Sequence, residues 1–562
     1  MSARQEMRVR RLLAVAAGIL AAGWMAGMMG AQDVPVGQHT AGAGVKLYRI
    51  AGALTDSVSG KPVAGATMEI LTTQTFLLLQ SVITDPDGRF SFDPLPAGKF
   101  SLQATRRGYH FQAFNEHDQQ FSSAIVTGEN QDTEHIPFRI NPGGGIRGRV
   151  TDDAGEPVTD AQVVIKRWTE NGGLGEHLQP IITNEVDDQG DFEAWNLLPG
   201  KYVLVAKATP WFAIHPSINT REPAAGADLR EARAALDVVY PLTYYDGVTD
   251  ERSAAQLSLA SGETAEVNFS LHAIPAVHLT ISTPQNVDRY TPPPRLQQTI
   301  LGDADFLQPV AARNASPDSS TIEYAVAPGH YSAEGGTPPH VAEIDATGDL
   351  DFNLAAGTPT IEKTMKVRMI DGSALPTPLE VVLLSGEQLQ HRVSVQVGQK
   401  SEAQFPSIPS GQWTAFVSSN NLALAVVGVQ AGSALKSGSN INVAGNGSDL
   451  TLFVARGKTR VEGFATKDGK GEAGVMIVLV PNDPRENLDE FRRDQSDSDG
   501  SFLLPNIIPG DYTIVAIQDG WGLEWARPQV IRKYLTAGIP ITVPDRAGPL
   551  IKLGVPVPIQ PR

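Results

Sequence analysis

The residues best placed to do chemistry are His340 and Glu343, which stand as H-x-x-E in "HVAE". On a helix that spacing offers a metal two ligands, and a zinc peptidase would add a distant third His and a Glu base on an α/β scaffold of roughly 300 residues. The one later histidine is His391, in a stretch that reads as β, and no strand-helix alternation surrounds it. With 11 His in 562 residues, chance accounts for the motif. The acidic turns are a second candidate. A calcium loop needs oxygen donors at positions 1, 3 and 5, glycine at 6 and a bidentate acid at 12. With Gly500 at position 6, Gln495, Asp497 and Asp499 fill the first three, but Asn506 stands at position 12. With Gly88 at position 6, Ile83 falls at position 1, so both stretches read as plain turns. No G-x-S-x-G nucleophile elbow is present.

Aromatic residues remain, since a ring face can stack on a ligand. Tyr109, Trp211 and Trp521 recur nine residues after a leading aromatic, and repetition favours a structural lid. Trp168, beside the glycine-rich "ENGGLGEH", Trp195 and Trp525 break that pattern and are the candidate ligand-stacking residues. Core or inter-domain packing is the competing role for each.

The frame holding these residues is repetitive. "TDPDGRFSFDPLPAGKF" (Thr84 to Phe100), "VDDQGDFEAWNLLPGKY" (Val186 to Tyr202) and "SDSDGSFLLPNIIPGDY" (Ser496 to Tyr512) are 17-residue stretches in register. Each reads as a hairpin: Asp85, Asp187 and Asp497 open a turn, and Gly88, Gly190 and Gly500 take a positive φ. The phenylalanine then starts a strand, and Pro96, Pro199 and Pro509 end it. The next strand alternates Phe100-Leu102-Ala104, Tyr202-Leu204-Ala206 and Tyr512-Ile514-Ala516, one inward face of period two. Every fixed letter has a backbone or packing role, so the repeat reads as architecture.

These motifs, G-x-V-x-D, G-x-P-V-x-x-A, D-x-x-G-x-F and L-P-x-G-x-Y in order, resemble the carboxypeptidase regulatory-like domain over residues 47–110, 144–212 and 459–525. The third copy has Gly471 where the family has its opening proline. The resemblance implies a transthyretin-like or immunoglobulin-like β-sandwich, grouped with carbohydrate-binding-like folds, and makes glycan the ligand class to expect. "VAPGHY" (Val326 to Tyr331) and "IPSGQW" (Ile408 to Trp413) keep proline, glycine and aromatic, and read as degenerate copies.

The fold class expected is therefore all-β, a tandem array of about five sandwiches behind a signal peptide. The expected boundaries are a signal at 1–31, sandwiches at 47–140, 141–275, 276–357, 358–455 and 456–545, and a tail at 546–562. One helical insertion is expected near 225–239, with Leu229, Ala232, Leu236 and Val239 on one face. Arg4, Arg8, Arg10 and Arg11 ahead of an apolar run from Leu12 to Met29 read as a secretory signal. Its 18 apolar positions could just span a bilayer if left uncleaved. Removing four Arg and one Glu with it takes the net charge from −17 to −20, which argues against nucleic acid as a partner. The absence of cysteine excludes disulfides, thiolate metal sites and a cysteine nucleophile.

The functional expectation is a non-enzymatic exported protein of the periplasm, outer surface or extracellular space. No catalytic residue, cofactor or metal is assigned, and polysaccharide, glycan or a cell-envelope protein is the expected partner. A purely structural stalk or docking scaffold is the alternative, and a hydrolase with its site in 276–455 the second. The glycine-rich joint "NPGGG" (Asn141 to Gly145) leaves bending between units open.

Overall fold

The computed structural model describes residues 46–170, 176–215, 234–283, 294–310, 321–336, 339–385, 391–420, 422–444, 449–485, 487–544 and 548–562. The expected signal at 1–31 lies outside them, as do residues 225–233 of the expected helix.

One pairing scheme recurs five times. The opening strand of each unit pairs antiparallel with the strand after the acidic turn, or its equivalent, and parallel with the unit's last strands. Tyr48–Asp56 lies between Arg89–Leu95 and Ile136–Ile140, and Gly144–Thr151 between Asp191–Leu197 and Thr264–Glu266. Val277–Ser282 lies between Thr321–Val326 and Leu350–Asn353, and Ile361–Met369 between Glu402–Ile408 and Leu450–Arg456. Thr459–Lys467 pairs with Ser501–Ile507 and Leu550–Lys552. A second sheet faces each of these across an apolar core. The protein is a tandem array of about five immunoglobulin-like β-sandwiches.

The acidic turn forms as its residue types require. The N–H groups of Gly88, Gly190 and Gly500 donate to the carbonyls of Asp85, Asp187 and Asp497 at 2.9, 3.0 and 2.9 Å. These glycines take φ of 71°, 74° and 82°, where a side chain is disfavoured. A Cβ at Gly88 would also stand 2.4 Å from the carbonyl oxygen of Leu54. The aromatic after the P-G turn bridges back four residues. Tyr202 donates its hydroxyl to Leu198 O at 2.5 Å, Tyr331 to Ala327 O at 2.6 Å and Tyr512 to Ile508 O at 2.8 Å, and Trp413 donates its indole N–H to Pro409 O at 3.2 Å. The degenerate copies thus retain the aromatic because it closes the turn.

The strand after that turn shows where units meet. In the first sandwich Phe100, Leu102 and Ala104 are buried and Ser101 and Gln103 only half-buried. In the second, Val203 and Val205 are buried as well, because Ile300 and Leu301 of the third sandwich cover the outer face. In the fifth, Val515 and Ile517 lie under Trp521, Trp525 and the helix α1 (Pro528–Leu535), which contributes Ile531 and Tyr534.

Two expectations need correction, and one open question is answered. Val238–Val239, placed at the end of a helix, forms a strand paired with Ile274–Pro275, since its two β-branched residues find a partner strand. Residues 546–562, expected as a tail, supply Leu550–Lys552 and Val557–Gln560 to the fifth sandwich, a parallel pairing that local sequence does not announce. The joint at Asn141–Gly145 is packed: Gly143 N–H donates to Gly108 O at 3.0 Å and His110 N–H to Asn141 O at 3.0 Å. A Cβ at Gly143 would lie 2.5 Å from Asn196 Oδ1, so the glycine is there for close approach.

Candidate functional site

The third copy of the acidic turn departs from the other two. Asp85 Oδ1 accepts from Asp87 N and Arg89 N within its own turn, at 2.9 and 2.7 Å, and Asp187 Oδ1 from Gln189 N and Asp191 N, both at 2.9 Å. Asp497 Oδ1 instead accepts from Ala124 N of the first sandwich at 2.8 Å, and its Oδ2 pairs with Lys99 Nζ at 2.6 Å. Asp499 takes over the local role, accepting from Ser501 N at 2.9 Å. One carboxylate has been turned outward to hold a domain some 370 residues upstream in sequence.

Around it the first and fifth sandwiches form a dense polar interface. Ser498 N donates to Ala124 O at 3.0 Å, Val126 N to Ser498 Oγ at 2.9 Å and Ser123 Oγ to Ser496 O at 2.8 Å. Gln495, 2% exposed, donates through Nε2 to Asn115 O at 2.7 Å and Ser123 Oγ at 2.9 Å. Its Oε1 lies 2.8 Å from His117 Nδ1, and an amide oxygen only accepts, so His117 carries its proton on Nδ1. Arg493 Nη1 pairs with Asp118 Oδ2 at 2.9 Å.

An aromatic pile flanks these bonds. His117 stacks on Trp521 at 4.7 Å between centroids and 8° between planes, and Phe121 lies 5.2 Å from Trp521. The Arg493 guanidinium stands over Phe121 at 4.7 Å and over Trp525 at 4.6 Å, near enough for cation–π attraction. Phe491 meets Trp525 edge-on at 5.4 Å.

The expected ligand-stacking residues are not brought together. Trp525 is 6% exposed and covered by Arg493 and Phe491, so it offers no open face, and the expectation fails there. Trp195 is 54% exposed, but it sits directly across from Gly145, whose Cβ would fall 2.5 Å from its ring. It shields a strand glycine, and its indole N–H donates to Glu193 Oε2 at 3.0 Å. Trp168 lies in the opposite sheet of the same sandwich, half-buried against the cluster of Val203, Val205, Tyr244, Ile300 and Leu301 that joins the second and third sandwiches, and it borders a cleft of about 720 Å³ where the first, second and fifth sandwiches meet. The repeated aromatics divide too. Trp521 is buried and Tyr109 bonds Asp56 Oδ2 at 3.0 Å, whereas Trp211 is 85% exposed. The lid expectation fails at Trp211, beside which, among the described residues, Phe212 packs edge-on at 5.7 Å.

The segment carrying the interface, residues 489–497, is rich in buried charge. Burial pushes the carboxyls of Glu490 and Asp494 up to about 7 and that of Asp489 up to about 6, and raises Asp497. Asp489 Oδ2 accepts from Val426 N of the fourth sandwich at 3.1 Å, so the segment touches two neighbours. A second network joins sandwiches two and three. His278, 3% exposed, lies with Nε2 2.8 Å from Asp237 and Nδ1 2.8 Å from Glu323. Burial lowers its pKa, but the bonds to the two carboxylates outweigh that and raise it. These groups join one sandwich to another, and Ser501 Oγ belongs to the first network, accepting from Lys99 Nζ at 2.8 Å and donating to Asp499.

His340 and Glu343 lie on the strand His340–Ala346, where an odd separation puts them on opposite faces. Glu343 instead pairs with His330 at 3.0 Å. Among the described residues no three His, Asp or Glu side chains gather as a metal would need.

Fold and interface together define a multi-domain β-sandwich protein closed by contact between its first and last units. Residues 49–133 match the family model of the carboxypeptidase regulatory-like domain, so the first sandwich is a domain of that type. Residues 453–537 match the model described as BOS complex subunit NOMO1-like, second beta sandwich domain. No curated protein matches the chain significantly. Solved structures with similarity include the Bacillus anthracis TIE protein, at 12% identity and TM-score 0.17, covering 75% of this chain and 76% of that one. A streptococcal ancillary pilin matches at 10% identity and TM-score 0.19, covering 54% and 99%. The shaft pilin SpaA from Lactobacillus rhamnosus GG matches at 10% and 0.18, covering 41% and 99%. At these scores the matches bear on neither arrangement nor function. No helix among the described residues is long and apolar enough to cross a membrane.

Proposed function

We propose that the protein is a non-catalytic, exported scaffold whose sandwiches hold a fixed closed arrangement and present it to a cell-envelope partner. The observation that carries this is the outward turn of Asp497. A motif that elsewhere serves its own hairpin here clamps Lys99 and Ala124 of the first sandwich. A stalk of independent beads has no use for such a clamp, which favours a docking body over a spacer. Packed joints support the same reading, as do the residues of every sandwich repeat that serve turns and cores. The basic and apolar stretch of residues 4–29 is the support for export. Carbohydrate binding is a second reading that loses its expected platforms, since Trp525 is covered, Trp195 backs a glycine and Trp168 packs against the cluster joining the second and third sandwiches.

Small-angle scattering of residues 32–562 tests the scaffold. A closed array gives a radius of gyration nearer the ~24 Å of a compact chain of this length than the ~50 Å of five ~13 Å units in line. A rod-like profile, or hydrolysis that vanishes in His340→Ala, would overturn it.

A further inference from the structure

We propose that the hairpin tip of the first sandwich, residues 72–79, docks on a zwitterionic lipid bilayer by inserting Leu77, Leu78 and Leu79. This deepens the scaffold reading above, on which it rests, by making the envelope partner the membrane itself. Phe76, Leu77, Leu78 and Leu79 are all exposed, Leu77 at 62%, and Ile83 on the strand that follows is 64% exposed. Among the described residues no other four large apolar residues in a row are exposed. Such a run has no packing role within its own unit and marks an interaction surface. No charged residue stands between Glu69 and Asp85, so the tip leaves water without stripping an ion of its hydration.

The turn also meets its own hydrogen bonds. Phe76 N donates to Thr72 O at 3.0 Å and Thr72 N to Leu77 O at 3.0 Å. Thr72 Oγ1 accepts from Leu77 N at 3.1 Å and lies 2.7 Å from Thr75 Oγ1. Polar groups already paired inside the turn lower the cost of taking it into an apolar layer.

The place of the tip in the fold selects the occupant. Thr72 pairs with Phe100, and Tyr48 with Leu95 across the short turn between those two strands. The hairpin and the chain's entry into the first sandwich therefore share one end. The sequence ahead of that entry holds the apolar run Leu12 to Met29, followed by residues 30–45. Such a run, cleaved or kept, is taken up by a bilayer, which brings the tip's end of the sandwich to the membrane during export. Leu78–Ile83 is also an edge of its sheet, where a second copy would add its own strand. Charge argues against that occupant: two copies at −17 each repel. A zwitterionic bilayer presents no net charge, and an anionic one repels the chain as a second copy does.

Flotation of residues 32–562, which lack the apolar run, with phosphatidylcholine vesicles tests the tip by itself. Binding is expected, together with a blue shift of an environment-sensitive dye attached at Gln74→Cys. Leu77→Gln combined with Leu79→Gln should weaken binding roughly a hundredfold, at about tenfold per leucine kept out of the bilayer. Val58→Gln, exposed at the opposite end of the same sandwich, should bind as the parent does. All these positions are on the surface, and circular dichroism confirms that each variant folds. Vesicle binding unchanged in the double variant would overturn the tip as the site. No binding by the parent at any lipid concentration would overturn the proposal, and a sedimenting dimer lost in the double variant would then give the edge to a second copy. Scattering that still shows a closed chain in either case leaves the scaffold standing, whereas a rod-like profile overturns the scaffold whatever the vesicles do.

Discussion

Replacing Gln495 by alanine should open the array without unfolding it. The side chain makes three hydrogen bonds to the first sandwich, to His117, Asn115 O and Ser123 Oγ, and lies at 2% exposure. Each bond contributes about 0.5–1.5 kcal/mol net, and stranding buried partners such as Ser123 costs more, so the change should weaken docking by roughly 2–4 kcal/mol. At 1.4 kcal/mol per tenfold, that shifts the closed-to-open ratio by about 30- to 1,000-fold. Because the native chain has no cysteine, Lys61→Cys and Lys533→Cys carry spin labels on the first and fifth sandwiches with no background labelling. Both lysines are exposed. Pulsed dipolar spectroscopy should show one narrow distance in the parent and a broad, longer distribution in Gln495→Ala, with far-ultraviolet circular dichroism unchanged. A narrow, identical distribution in both proteins would refute the assignment of the clamp to this residue, and a broad one in the parent would refute closure itself.

Other tests concern charge and backbone. Asp489, Glu490 and Asp494 have carboxyls raised by burial to about 6, 7 and 7, so the folded chain holds protons that the unfolded chain releases near pH 4. Their contribution to stability is greatest below pH 4 and is lost as pH rises to about 7; Asp494→Asn should shrink the fall in melting temperature between pH 5 and 8. His278 has a raised pKa, so its ion pairs stabilise fully below pH 6.5 and fade as pH climbs through the folded value. His278→Gln should cost about 3–5 kcal/mol in denaturant titrations, as expected when one member of a buried pair is removed. Gly190→Ala puts a Cβ 2.5 Å from Val150 O at φ of 74°, and should cost well over ~1 kcal/mol, read as a lower urea midpoint. Trp195→Ala should cost about 1 kcal/mol by uncovering Gly145, and leave saccharide titrations unchanged.

Much of the fold was legible because its rules are local. An aspartate that opens a turn, a glycine two or three residues later and an aromatic that reaches back four residues each act within a short span, so three copies in register disclosed one unit built repeatedly. Even "VAPGHY" and "IPSGQW" were readable, since the same back-bond needs only the glycine turn and a ring with a donor. The cover on the outer side of the second sandwich was not read from the sequence, although the signal was there: "YVLVA" (Tyr202 to Ala206) has Val203 and Val205 where "FSLQA" (Phe100 to Ala104) has Ser101 and Gln103. That signal could not say what covers them.

The turn, the alternation and the recurrence of about five units were all written in the chain's own letters, because each follows from the backbone preferences of a few neighbouring residues. Tertiary structure alone decided which rings face solvent and which acid leaves its own turn. Trp525 and Trp195 are the same residue type in similar company, yet one lies beneath Arg493 and the other opposite a glycine. Asp187 and Asp497 stand at the same letter of the same motif, but only Asp497 has Lys99 and Ala124 within reach. Such pairings join residues nearly 400 positions apart, and they depend on how all five sandwiches pack end to end, a sum that no local pattern carries.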